Sequence, residues 1–517
     1  MENIKILWVD DEIDLLRPHI LFLNKKGMDV AQATNGRDAI EHVRGADVDI
    51  VLLDENMPGI NGLETLAEIK AIKPRIPVVM ITKSEEEHIM NDAIGSQIAD
   101  YLIKPVNPNQ ILISLKKLLS ADQLVSRKVN TEYQKDFRNI GMAFFDDMNA
   151  EEWADIYKKL VRWELELEKS DDEGMHEVLA SQKAEANVNF SKFVSANYLD
   201  WIASKDRPLL SPDLLTSKVF PLFGAGKPVF FLLIDCLRYD QWKVFEPIVA
   251  RYFNVVEEET CYSILPTATQ YARNAIFSGL FPSEIAEKYP KHWVNDEDEG
   301  GKNLHEADFL KELLARKRIN VRHSYHKVIT ADDGGQVVDN LNNMLQNDFN
   351  VIVYNFIDLL SHARAEMNLI RELAPDERAV RSISRSWLEH SSLLTLLKKL
   401  REHDIKIVLS TDHGTIRVKR PIRIVGDRTT TTNLRYKQGK NLNYDSDSRL
   451  VFTVKNPIQA KLPKTSVTGT YAFATEDSYF VYPNNYNYYA NFYKDTFQHG
   501  GVSLEEMVVP VVTLTPK

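Results

Sequence analysis

Between residues 1 and about 120, short apolar runs alternate with stretches of helical periodicity. The runs are "IKILWVD", "DVAQA", "DIVLLD", "PVVMIT" and "ADYLIK"; helical patterns fill Leu15 to Lys26, Ala39 to Val43 and the stretch "ILISLKKLL". This alternation predicts a doubly wound parallel sheet, with its site at the carboxyl ends of the strands. The pattern then changes. From Pro108 to Pro208 no proline occurs, and only Gly141 and Gly174 interrupt. In "WADIYKKLVRWELEL" the apolar residues fall at helical spacing, which predicts a helical bundle. After "KDRPLLSPDLL", the runs "PVFFLLID", "FNVIVYNFID", "IKIVLSTD" and "EEMVVPVVTL" read as strands, with a long helical pattern from Pro375 to Arg401. The expected organisation is a multidomain α/β chain: an α/β domain over 1–120, a helical bundle or linker over 121–207, and a second α/β domain over 208–517.

At 517 residues the chain is too long for one core, in keeping with that division. Its 63 Lys and Arg against 74 Asp and Glu argue against a general nucleic-acid coat or an anionic-membrane binder. The helical segment carries no clustered basic helix, so direct binding of a DNA operator is not expected. The start "MENIKILWVDDE" is too short an apolar stretch for a signal peptide, and no run of roughly 18 apolar residues follows. A cytoplasmic protein without membrane insertion is expected. With only Cys236 and Cys261, a metal would be held mainly by His and carboxylate.

Candidate chemistry sits where the strands end. In the first domain these ends carry Asp10 with Asp11, Asp54, Thr82 and Lys104. Several carboxylates at one edge ionise together only beside a divalent cation, and hard oxygen ligands favour Mg²⁺. A lysine and a hydroxyl nearby would hold the oxygens of a phosphoryl group on the central carboxylate. Asp10-Asp11, "LLDENMPGINGLE", "MIT" and "IKP" together resemble the flavodoxin-like receiver domain of response regulators. The resemblance implies that Asp54 accepts a phosphoryl group from a sensor histidine kinase. It further implies that Asp10, Asp11 and Asp54 bind Mg²⁺ with the Asn56 carbonyl, that Thr82 and Lys104 sense the phosphate, and that Tyr101 is the aromatic switch. Phosphorylation would then favour a homodimer.

In the last domain, three strand-like runs end in Asp235, Asp358 and Asp412, with His362 four residues after Asp358 and His413 directly after Asp412; His499 precedes two glycines near the C-terminus. A lone Asp at a strand end is usually a turn or a cap. Three at the ends of parallel strands converge, and with three His they suffice for two zinc-like sites with open positions. "LPTATQ" places Thr267 and Thr269 nearby as candidate nucleophiles. "FGAGKP" lacks the phosphate-loop pattern and precedes a strand, so it is set aside.

The set "LLID", "LPTATQYARN", "FIDLLSH", "STDHG" and "HGG" resembles the PglZ branch of the alkaline phosphatase superfamily. That implies an alkaline-phosphatase-like α/β domain binding two Zn²⁺. One ion would be held by Asp358, His362 and His499, the other by Asp235, Asp412 and His413, with Thr269 as nucleophile and Asn274 as a possible phosphate contact. Between Arg417 and Lys440 stand eight Lys or Arg and one acid, Asp427. This block, which includes Arg428, Arg435 and Lys437, is a candidate clamp for a nucleotide or oligonucleotide.

A receiver joined through a helical segment to a PglZ-type domain resembles the PorX-type regulators of type IX secretion. The expectation is a phosphorylation-controlled, zinc-dependent phosphodiesterase. The alternative is an adaptor that dimerises on phosphorylation and binds a secretion component or a sigma factor.

Overall fold

The computed structural model describes residues 4–74, 76–83, 98–169, 173–224, 226–296, 298, 300–360, 372–427, 430–444, 448–464, 466 and 468–517. The chain divides into two compact units, Met1–Glu132 and Tyr133–Lys517.

The first unit is the expected doubly wound sheet. Its strands are β1 (Ile4–Val9), β2 (Met28–Ala33), β3 (Ile50–Asp54), β4 (Val78–Thr82) and β5 (Asp100–Ile103), all parallel in the order β2-β1-β3-β4-β5. Successive strand residues face opposite sides. Ile6, Trp8, Ile50, Leu52, Val79 and Ile81 therefore enter one core, and Leu7, Val9, Val51, Leu53, Val78 and Met80 the other. Burial on both faces is why the runs are continuously apolar. The strand order reverses between β1 and β3, which opens a crevice at their carboxyl ends. Helix Gly62–Ile72 starts with a reciprocal Asn61–Glu64 capping box, and its Gly62 amide donates to Glu55 O at 2.9 Å just past the end of β3. Only glycine fits at its first position, because a Cβ on Gly62 would stand 2.3 Å from the Asp54 carbonyl oxygen.

Helix Pro108–Ala143 runs well past residue 120. No proline or glycine interrupts it before Gly141, so nothing in the sequence stops it. In the second unit its last turns pack on helices Ala150–Leu167 and Glu173–Ala203, with the Tyr133 hydroxyl donating to Gln182 at 3.1 Å and the Trp163 indole to Asp136 at 3.0 Å. Trp153, Ile156, Tyr157, Leu160, Val161 and Trp163 form the buried stripe of the middle helix.

The rest of the second unit is built on a six-stranded sheet. Strands β6 (Val229–Ile234), β8 (His323–Val328), β9 (Phe349–Tyr354) and β10 (Lys406–Ser410) run parallel in the order β10-β6-β9-β8. The C-terminal strand Val508–Pro516 pairs antiparallel with both β10 and β7 (Phe253–Tyr262). The sheet is therefore mixed, and its parallel part carries Asp235, Asp358 and Asp412 just beyond neighbouring strands. Among the described residues no helix is long and apolar enough to cross a membrane.

Candidate functional site

In the first unit, Asp10, Asp11 and Asp54 present carboxylate oxygens that all lie within 4.8 Å of one another. Asp10 and Asp54 are buried and Asp11 is exposed. Lys104 Nζ lies 2.8 Å from Asp10 Oδ2 and 3.0 Å from Asp54 Oδ1. Burial, with Asp10 and Asp11 adding like charge, raises the Asp54 carboxyl above its ordinary range despite Lys104. One lysine against three acids leaves the cluster short of positive charge, and its all-oxygen donor set fits Mg²⁺. The buried Thr82 hydroxyl bonds to the Glu55 carboxylate, next in sequence to Asp54. Asn56 lies in the loop after β3, and Tyr101 is half exposed on β5.

In the second unit, Asp235, Asp412 and His413 are buried, and their potential ligand atoms lie within 4.8 Å of one another. The backbone turns abruptly after β6: Cys236 takes a positive φ of 67°, and its N–H donates to Asp412 Oδ1 at 3.2 Å. Both histidines are oriented by backbone carbonyls. His413 Nδ1 bonds to Gly414 O at 3.1 Å, and His499 Nδ1 to Thr267 O at 3.1 Å. An Nδ1–H given to a carbonyl leaves Nε2 as the basic nitrogen, the arrangement a metal-binding histidine needs. His413 Nε2 lies 3.1 Å from Thr269 Oγ1, and His499 Nε2 lies 3.9 Å from Asp358 Oδ1. The two imidazoles stack, with centroids 4.3 Å apart.

The two candidate threonines separate cleanly. The Thr267 hydroxyl donates to Gly501 O at 2.9 Å and accepts from Gly500 N at 3.0 Å, so it braces the loop after His499. Thr269 opens helix Thr269–Ser278 and faces His413. Its position also sets a reacting group beside the unsatisfied N–H groups of a helix start, which favour negative charge.

Arg273, one turn along that helix and fully buried, is the residue that the strand-end reading missed. Its guanidinium contacts Asp235, lies 2.9 Å from Asp412 Oδ2 and 3.4 Å from Glu306 Oε1. Burial, with Asp412 and Asp358 nearby, drives the Asp235 carboxyl far up. Asp412 is held below the ordinary carboxylate range, because Arg273, His413 and the Cys236 amide outweigh its burial. Asp235 Oδ1 is buried and accepts no hydrogen bond among the described residues. One guanidinium is shared by two buried carboxylates, and this imidazole and carboxylate set fits a divalent ion of the zinc type.

His362 and Arg428 lie outside the described residues. Three other expected contacts are placed differently. Arg435 is fully buried, donating through Nε and Nη2 to Glu506 at 3.1 and 2.6 Å. Lys437 is 1% exposed and donates to Thr431 O at 2.8 Å. These two cations are consumed inside the fold, so the basic block does not offer them to a ligand. Asn274 is also buried; its amide donates to Lys302 O at 3.2 Å and accepts from Asn303 at 3.2 Å, which turns it toward the 302–303 loop. Another group, His292, His305 and Asp308, lies within 4.8 Å. Its imidazoles stack 4.4 Å apart at 15°, so their in-plane nitrogens run side by side instead of converging, and His305 Nδ1 already pairs with Asp308 at 3.0 Å.

Three family models match the chain, in the expected order. Residues 6–116 match the response regulator receiver domain, 123–202 the PorX response regulator linker domain, and 214–514 the BREX system PglZ alkaline phosphatase-like domain. The transcriptional regulatory protein ZraR of Escherichia coli K12 is 34% identical over 140 residues, 27% of this chain and 32% of ZraR. The chain thus spans about a third of the length of that relative. The chemotaxis protein CheY of Thermotoga maritima is 30% identical over 115 residues, 22% of this chain and 96% of CheY. Among solved structures, the response regulator TrrA of Thermotoga maritima in complex with Mg(2+)-BeF is 30% identical and covers 22% of this chain and 98% of its own, with a TM-score of 0.21.

Proposed function

The chain belongs to the PglZ alkaline phosphatase-like family, with a response-regulator receiver and a PorX-type linker ahead of that domain, and on this basis we propose a phosphorylation-controlled, zinc-dependent phosphodiesterase. The observation that carries the reading is Thr269 Oγ1 at 3.1 Å from His413 Nε2, within reach of the buried Asp235–Asp412 pair. Asp235, Asp412 and His413 would hold one Zn²⁺, and Asp358, His362 and His499 the other. Bound there, the ions supply Lewis acidity that lowers the Thr269 hydroxyl pKa and offsets charge on the phosphate.

Thr269 Oγ attacks phosphorus in line and gives its proton to solvent, while the bond to the leaving oxygen breaks and that oxygen takes up a proton from water to depart as the alcohol. Water then attacks the phosphothreonine, freeing a phosphate monoester and restoring the hydroxyl. The helix start at Thr269 favours the anionic substrate. Arg273 on the same helix contacts both Asp235 and Asp412 and fixes their position. Nucleotide and oligonucleotide diesters remain the proposed substrate class, since any cations that bind them must come from outside the buried Arg435 and Lys437.

At the receiver, Asp54 takes a phosphoryl group from a sensor histidine kinase; Asp10, Asp11, Asp54 and the Asn56 carbonyl would hold the Mg²⁺ that offsets its charge. Thr82 and Lys104 answer the phosphate, and Tyr101 reports it to a dimerising face. The PorX linker match is the ground on which the proposed output is type IX secretion, and a cytoplasmic location is part of the same proposal.

The test is hydrolysis of bis(4-nitrophenyl) phosphate by full-length protein, with zinc analysis, with and without beryllofluoride. The expectation is two zinc ions and turnover that Thr269→Ala abolishes. Wild-type turnover by Thr269→Ala, or a zinc-free protein without turnover, would overturn the enzymatic reading and leave the adaptor.

A further inference from the structure

Among the contacts of helix Glu173–Ala203 with the catalytic domain, one side-chain amide holds the 504–505 segment at two points. Asn187, 5% exposed, accepts a hydrogen bond from Leu504 N through Oδ1 at 2.9 Å and donates through Nδ2 to Glu505 Oε2 at 2.9 Å. One turn earlier, Lys183 lies 3.8 Å from Glu505 Oε1 and 2.7 Å from Glu164 on the neighbouring helix. An amide that both donates and accepts fixes its partner in rotation as well as position, which a single contact does not.

The segment it grips, 499–507, supports both proposed metal sites. The Glu505 carbonyl oxygen presses on Gly414 so closely that a Cβ there would stand 2.0 Å away, and Gly414 N donates to Glu506 O at 3.0 Å. Gly414 follows His413 and accepts its Nδ1 hydrogen bond. At the other end, the Glu506 carboxylate accepts from Gly501 N at 2.9 Å and Ser503 Oγ at 2.6 Å, and Gly501 lies two residues from His499. Thr267 closes the circuit, bonding to Gly500, Gly501 and His499 just ahead of Thr269. A displacement of 504–505 therefore cannot be absorbed locally. It moves the carbonyl that orients His413 and the loop that carries His499.

We propose that Asn187 is a positioning residue for the metal site: through Leu504 and Glu505 it sets the pose of His413 and His499. This makes the helical segment part of the catalytic apparatus, and it rests on the phosphodiesterase reading only for its kinetic consequence. A role limited to holding two domains together would make the same contacts, so the test must separate geometry from stability.

Three full-length variants do so: Asn187→Leu, which removes both hydrogen bonds; Asn187→Asp, which keeps the acceptor for Leu504 N but sets a like charge beside Glu505; and Tyr133→Phe, which loses the Gln182 bond of the same helix elsewhere. Three readouts are taken at equal distance below each protein's Tm. They are deuterium uptake of peptides spanning 408–418 and 497–507, zinc loss to a chelator, and kcat and KM with bis(4-nitrophenyl) phosphate. Asn187→Leu should raise uptake in both peptides, speed zinc loss and lower kcat about tenfold or more with KM little changed, as sub-ångström misplacement of a constellation does. Asn187→Asp should give a smaller change of the same sign, and it serves alone if the leucine variant does not fold. Tyr133→Phe should leave all three readouts at wild-type values. Unchanged uptake around His413 and His499 in both Asn187 variants, or an equal change in Tyr133→Phe, would overturn the proposal. A wild-type protein without diester turnover would instead sink the phosphodiesterase reading, and the uptake measurement would still decide the role of Asn187.

Discussion

His413 and His499 stack face to face, centroids 4.3 Å apart and planes inclined by 21°. A ring nitrogen donates in its own ring plane, so two nearly parallel imidazoles cannot both aim at one ion. They can serve two ions side by side, at the spacing of about 3.5–4 Å that two-metal hydrolases use. The stack is thus a geometric argument for dividing the ligands between two ions.

It leads directly to a stoichiometry. His413→Ala and His499→Ala should each retain about one zinc ion per chain where the wild type should hold two, measured by elemental analysis after gel filtration. Diester hydrolysis should fall by about two orders of magnitude or more in both. If either variant keeps two ions, the division is wrong.

Arg273 is the sole cation, among the described residues, in contact with Asp235, and it also bonds Asp412 and Glu306. Removing one partner of a buried charge network leaves the others unpaired, at a cost of about 3–5 kcal/mol. Arg273→Met should therefore lower stability sharply in zinc-free buffer. Because zinc bound there would neutralise the same carboxylates, added zinc should raise the Tm of the variant more than that of the wild type. Equal shifts would mean that Arg273 and the ion do not share the site.

Why Arg273 was not legible, while the aspartates were, is a matter of period. Strand ends can be located from a sequence because apolar runs stop there, and Asp235, Asp358 and Asp412 each follow such a run. The use of Arg273 depends on β6, β10 and the 302–306 loop meeting over one helix face, a tertiary fact. The signal that could have found it is a charged residue in "TQYARNAIFSG", whose helix is buried on every side from Gln270 to Ser278. The same limit explains the basic block. Eight cations within 24 residues suggest an exposed clamp, yet the Glu506 carboxylate and the Ser478 carbonyl hold Arg435 inside. In the first unit, by contrast, the continuous apolar runs and the residues ending them already specified the sheet, because both of its faces are buried.

Lys104 bonds both Asp10 and Asp54 and so competes with a cation for their charge. Lys104→Met should bind Mg²⁺ several-fold more tightly, since a partly buried positive charge next to the ligands is gone. Phosphoryl uptake from acetyl phosphate should slow in the same protein, because the group that steadies the phosphate is lost. Equilibrium Mg²⁺ titration and phosphoprotein gels check the two effects separately; weaker Mg²⁺ binding would contradict the geometry.

Glu164 ties the helical segment to the catalytic domain, with Oε2 2.7 Å from Lys183 and Oε1 3.0 Å from Arg381. Burial alone would raise its carboxyl, but Lys183 and Arg381 overcome this and hold the pKa at about 2, against an ordinary 4.5. The folded state thus binds fewer protons than the unfolded state between those values. Glu164 contributes stability that is fully present above pH 4.5 and is lost as pH falls toward about 2. A shift of this size corresponds to on the order of 3 kcal/mol. Glu164→Gln should lower the urea midpoint at pH 7 and show a shallower acid dependence, so that the difference between the two proteins shrinks by about half by pH 3. A constant difference from pH 7 to pH 3 would show that the glutamate acts by shape and hydrogen bonding, not by its charge.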